Sequence, residues 1–366
     1  MMWKKQLTKK NLFTLFVLFL GLIITSWIYF KPSSYADTAI IVNKNLNDRV
    51  TEKTEDEYKN YDEKRVQTLK LKVISGKHQG KIYTVKNHYV KSQLETQAYR
   101  SGERVLVSFN KGQISLLSPK RDWILALAAT IVLTLLLVIA GKNTFWLVLS
   151  LVLSWIIFYF IIKFDIQENG TEIFAIYGLG VIVFAFVSLL IVQGLNKKML
   201  ATYFATLVGV FVSFGICYLI MKLTGEAGMK YETVDYATQS PRSLFLAQAL
   251  LGVLGAVMDE ATDIVSSLYE LTQHKKDLTV KQLLLSGRTM GQEIMGPLIN
   301  VLVLIFIAEA LPMTILYLRD NNTLAFSFEF TLSLGAIQSL MSAIGICLTV
   351  IFASLTSLVF LKKRGD

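Results

Sequence analysis

Charge is what this chain has least of. Only 17% of its 366 residues are Asp, Glu, Lys or Arg, and 53% are hydrophobic. A water-soluble chain carries about a quarter charged residues. The deficit falls in long apolar runs, which excludes a single soluble domain and points to a polytopic α-helical membrane protein. Cysteine is nearly absent: Cys217 and Cys347 each sit inside an apolar run, as packing residues rather than a disulfide framework. The three histidines (His78, His88, His274) lie outside those runs at unrelated spacing. No zinc or haem pattern exists, so no cofactor is expected and no metal is assigned. Walker and His-Glu-x-x-His sequences are missing, and the acid at Asp259 lacks the Gly-x-Gly-Asp setting of an intramembrane protease. An enzyme is therefore the least expected class. The net charge of +10 does not argue for nucleic acid, because the Lys and Arg residues cluster at the ends of apolar runs.

Three domains are expected. Residues 1–30 place Lys4, Lys5, Lys9 and Lys10 before an apolar run at 12–30. That run is longer than the roughly 7–15 residues of a signal-peptide core, so an uncleaved anchor is expected, although Ser34–Tyr35–Ala36 resembles a cleavage site. Residues 31–121 form a polar, β-rich domain outside the membrane. Leu69, Leu71 and Val73 alternate with polar residues, as do Val105, Val107 and Phe109, and Gly76, Gly80, Gly102 and Gly112 mark turns. A small β-barrel-like domain, of OB type, fits this pattern. Such folds bind oligonucleotides or sugars, but with no aromatic platform a packing or assembly role is the better reading. Residues 43–65 are charged and read as a loop.

Residues 122–366 form a seven-helix membrane domain, with spans at 122–140, 144–163, 172–193, 200–222, 244–266, 294–318 and 331–360. The last exceeds the bilayer and must tilt, break or begin in the interface. Residues 222–243 form an outer loop and 272–289 an inner one. With the amino terminus inside, short inner segments hold fourteen Lys and Arg residues against five in the outer ones. The positive-inside rule then puts both termini of the eight-span chain in the cytoplasm.

Within the span at 244–266 sits an acidic group: Asp259, Glu260, Asp263 and, just beyond, Glu270. At about 100° per residue, Asp259, Asp263 and Glu270 fall within about 40° of one another. Each carboxylate in a hydrocarbon layer costs about 2.5–3.5 kcal/mol, so a chain that keeps several in line is expected to use them. Asp259 and Asp263 read as the buried pair, able to hold a proton or cation. The competing reading is a helix that leaves the membrane early, with its acids in water. Gly252 and Gly255 allow close helix approach. The next span carries Gly287, Gly291 and Gly296, with Pro297 removing the backbone donor to the Glu293 carbonyl. Glu293 and Asn300 share a face and supply a second wall, with Arg288 as counter-ion.

These two stretches resemble the YibE/F family of bacterial membrane proteins. The first motif is carried by Gly252, Gly255, Ala256, Met258, Asp259, Ala261, Ile264, Ser266, Tyr269 and Glu270. The second is carried by Gly287, Arg288, Gly291, Ile294, Met295, Gly296 and Asn300. The resemblance covers roughly residues 120–360, and the anchor and β domain resemble the longer, YibE-like members. It implies a bacterial plasma-membrane protein that, in the lipid bilayer, forms a homo-oligomer or a hetero-oligomer with a shorter paralogue. It implies no substrate. A permease moving a small solute or ion with proton or cation coupling is the leading functional expectation. A membrane scaffold acting through its extracytoplasmic domain is the rival.

Overall fold

The structure, a computed structural model, describes residues 2–44, 46–55, 57, 59–93, 96–110, 113–167, 173–231, 240–275 and 278–360. It divides into two compact units, residues 1–144 and 145–366.

The first unit contains α1 (Met2–Phe30), six strands and α2 (Asp122–Ala140). Gly21 of α1 lies against Thr130 of α2, and the Tyr29 and Trp123 rings meet edge to face at 5.6 Å. Residue numbers rise on one helix as they fall on the other, so α1 and α2 are antiparallel. The strands are β1 (Asp37–Ile41), β2 (Asn47–Glu55), β3 (Tyr61–Val73), β4 (Ile82–Val90), β5 (Arg104–Asn110) and β6 (Gln113–Pro119). All pairings are antiparallel. β3 is the spine: one edge takes β2 and then β1, from Thr68↔Asn47 to Val73↔Ala39, while the other takes β4. β1 pairs onward to β5, and β5 to β6.

No pairing joins β4 to β6 among the described residues, so the sheet is open and the expected barrel is not formed. Closure needs the end strands to hydrogen-bond to each other as well as to share a core. The core here comes from Ala39, Ile41, Leu69, Leu71, Val73, Tyr99, Val105 and Val107; Tyr83 and Val85 of β4 and Ile114 and Leu116 of β6 pack against it, but their strands do not pair, and β2 contributes no buried residue. The expected loop at 43–65 is also corrected, because it forms β2 and the start of β3. Both faces of this hairpin are largely exposed, so no apolar alternation marks it. Ladder hydrogen bonds and the pairs Lys64–Glu52 (2.8 Å) and Arg65–Asp48 (3.3 Å) hold it instead. Gly76, Gly80 and Gly102 sit at φ near +80°, where a β-carbon is strained. Gly112 lies outside the described residues.

The second unit contains α3 (Thr144–Gln167), α4 (Ile173–Gln193), α5 (Lys197–Leu223), α6 (Pro241–His274), α7 (Val280–Arg319), α8 (Leu324–Ser327) and α9 (Ser333–Phe360). A π-helical turn, Phe328–Leu332, links α8 to α9, so the over-long last span is a run of 37 residues with an irregular turn inside it. The inner loop expected at 272–289 is cut short, because α6 runs to His274 and α7 begins at Val280. Thr279 ends it by capping α7, its hydroxyl accepting from the Gln282 N–H while the Gln282 side chain accepts from the Thr279 N–H. Eight helical runs among the described residues are long and apolar enough to cross a membrane. α6 is the most buried of them, packed against α4, α5 and α9.

Candidate functional site

Small residues set the centre of the second unit. A β-carbon on Gly209 of α5 would lie 2.9 Å from Val257 of α6 and 2.6 Å from the Thr349 hydroxyl of α9. One on Gly345 of α9 would meet Val257 at 2.7 Å, Ser213 at 3.1 Å and Val253 at 3.2 Å. Three helices therefore approach closely at the level of Val257, as glycine at a helix crossing permits.

The register of α5 on α6 follows from contacts along its length. Arg242 lies over the Tyr218 ring, Val253 and Ser213 share a neighbour, Val257 meets Gly209, and Lys198 lies over the Tyr269 ring. The helices are antiparallel, and one turn beyond the Val257–Gly209 contact puts Glu260 level with Thr206. Both residues have no exposed surface. Both Glu260 carboxylate oxygens and Thr206 Oγ1 are buried with no hydrogen-bond partner among the described residues. Neighbouring hydroxyls differ: Thr202, Ser213, Thr349 and Ser354 each donate to a carbonyl of their own helix, at 2.7–3.1 Å. Removing an ionised carboxylate from water without a partner costs several kcal/mol. A carboxyl group in this position must take up a proton or a cation, or bear that cost.

The sequence placed burial elsewhere. Asp259, Asp263 and Glu270 are exposed, on the same side of α6 as Gly255. The buried stripe is Val253, Val257, Glu260, Ile264 and Leu268, about 100° or more around the helix from Asp259. The expected burial of the Asp259–Asp263 pair thus passes to Glu260. On α7, Glu293, Asn300, Gly296, Pro297 and Arg288 are exposed. Arg288 forms no ion pair among the described residues and instead lines a cleft of about 510 Å³ between α7 and α9, with Gln292, Cys347 and Ser354. α7 stays helical through Pro297. Gly287 lies against Ser354 and Leu268, Gly291 against Val350, and Gly252 against the Gln338 amide, whereas a β-carbon on Gly255 or Gly296 would point into open space among the described residues. No group of three or more His, Cys, Asp or Glu able to hold a metal exists among the described residues.

Sequence reasoning missed Thr206, Gly209, Ser213, Gly345 and Thr349. A signal for the α5 set was present: Thr202, Thr206, Gly209 and Ser213 recur every three to four residues, as a close-packed helix face does.

No curated protein and no solved structure matches the chain. Two family models do: the YibE/F family N-terminal domain over residues 33–118 and the YibE/F-like protein over residues 128–363. With both matched in order over most of its length, the chain belongs to the YibE/F family.

Proposed function

We propose that the protein is a permease of the bacterial plasma membrane, moving a small solute or ion coupled to a proton or monovalent cation at Glu260. The observation that carries this reading is the wholly buried carboxylate with neither oxygen partnered among the described residues. A group so placed costs stability, and intramembrane ionisable residues usually mark ion or substrate pathways. Two of the helices packed on α6 bring little charge near Glu260: α9 contains no charged residue, and α5 carries charge only at Lys197, Lys198 and Lys222 near its ends. Asp259 and Asp263 lie on the exposed side of α6 itself, so the reading of a proton or monovalent cation counts Glu260 alone as the buried carboxylate. Glu260 and Thr206 share no hydrogen bond in the structure; a protonated carboxyl donates to the Thr206 hydroxyl oxygen only after a side-chain movement.

Asp259 and Asp263 on the exposed side of α6 suit a water path or a partner helix better than lipid, where each would cost about 2.5–3.5 kcal/mol. That supports assembly with a second, YibE/F-like subunit. The charge bias of the short loops supports cytoplasmic termini.

The test is complementation of a deletion strain, together with proton and cation flux in proteoliposomes across a panel of solutes. E260Q, which keeps shape and loses charge, should abolish gradient-driven flux and complementation while still inserting at wild-type level. Full activity in E260Q would overturn the reading, and loss only on removal of residues 37–119 would favour the scaffold.

A further inference from the structure

A second site lies in the first unit, independent of Glu260. A cleft of about 350 Å³ opens where α1 ends and α2 begins. Arg100, Arg104, Arg121, Glu103, Tyr29 and Trp123 are among its walls. Its positive charge is only partly compensated: Glu103 is the one acid among the described lining residues, and it accepts from the Arg100 backbone N–H at 2.9 Å. Lys120, also in the wall, is buried and already pairs with Asp122 at 2.9 Å. None of the three arginines forms an ion pair among the described residues, although Glu103 stands in the same cleft. Arg104 is held in place: Nη1 donates to the Tyr29 and Phe30 carbonyls at 2.8 and 2.9 Å, closing the end of α1. Its guanidinium lies 4.7 Å from the Tyr29 ring centre, and its Nε is buried without a partner among the described residues. Among the described residues, Arg121 donates to the neutral Gln97 side chain, at 3.0 Å.

We infer that this cleft binds the phosphate of an anionic lipid headgroup. Guanidinium groups match phosphate oxygens in paired hydrogen bonds. The position selects a lipid over a soluble anion. Tyr29 and Trp123 are the aromatic residues expected at a membrane–water boundary, and the exposed Ile124 and Leu125 continue from the cleft along α2, where acyl chains would lie.

The experiment uses the full chain in nanodiscs of mixed phosphatidylglycerol and phosphatidylcholine, with retained lipid measured by mass spectrometry. Wild type should be enriched in phosphatidylglycerol. R100Q/R121Q, altering two exposed side chains, should lose most of the enrichment, since each basic residue is worth about fivefold in affinity for an anionic surface. K222Q, removing an exposed cation at the end of α5, should keep it. An equal thermal midpoint in all three proteins shows that the loss is not unfolding. Equal enrichment in R100Q/R121Q and wild type overturns the inference. Displacement of the retained lipid by inorganic phosphate also overturns it, because the ligand would then be a soluble anion.

Discussion

Glu260→Leu should make the protein more stable and inactive. The wild-type side chain is among the largest with no exposed surface, and neither oxygen has a partner among the described residues. Its neighbours along the buried stripe are Val257, Ala261 and Ile264, all fully buried and apolar. Leucine is similar in size, so the change removes a polar group without opening a large cavity. Replacing even a buried ion pair by apolar residues of similar volume is often neutral or stabilising by about 1–4 kcal/mol, and a carboxyl with no partner has less to lose. For a unit the size of residues 145–366, each kcal/mol moves the midpoint by roughly 2–4 °C. A rise of several degrees is therefore expected, read by intrinsic fluorescence of the purified protein during heating. Glu260→Gln should fall below Glu260→Leu, because it leaves an unpartnered amide costing about 1–3 kcal/mol. A midpoint for Glu260→Leu below wild type would refute the reasoning, since it would mean the carboxylate holds the helices together through a partner.

Three further outcomes follow from packing and electrostatics elsewhere. Gly345→Ala must displace Val257 and should cost about 1–3 kcal/mol, whereas Gly255→Ala, with open space around it, should stay within about 0.5 kcal/mol; chemical denaturation of the two variants side by side checks this. Gln67 is 4% exposed and satisfies both the N–H and the carbonyl of Tyr99, at 3.0 and 3.2 Å, so Gln67→Ala should destabilise the sheet by about 2–3 kcal/mol, seen as faster hydrogen exchange in β1, β3 and β5. Asp62 accepts hydrogen bonds from the Ser92 hydroxyl at 2.6 Å and the Ser92 N–H at 3.1 Å, and the hydroxyl above all holds its carboxyl below the usual carboxylate range. Because the folded value is depressed, this support is complete above the unfolded value of about 4 and disappears as pH falls through the folded one. Pepsin cleavage near the β3–β4 ends should accelerate over that window in wild type, while D62N should start faster and respond less.

Much of the architecture was legible because it depends on local free energy. The helix at 122–140 was set by its own run of apolar residues, and it ends where Gly141 takes a positive φ. The alternation of Leu69, Leu71 and Val73 marked a half-buried strand in the same way. The β2–β3 hairpin was not legible, because ladder hydrogen bonds are made by backbone and its exposed side chains carry no period. The open sheet was likewise invisible, since closure depends on which distant strands meet.

The sequence by itself determined that this chain has eight spans' worth of apolar helix, a β-rich insertion after the first, and acids within the sixth. Each of those is a sum over neighbouring residues. Only the tertiary structure decided which acid is inside. Asp259 and Glu260 are adjacent, so composition and spacing treat them almost alike. The helix itself puts about 100° between them, and which of the two turns inward is decided by Gly209 and Gly345 drawing α5 and α9 onto Val257. The contact that fixes the site is made by residues with no charge and almost no side chain.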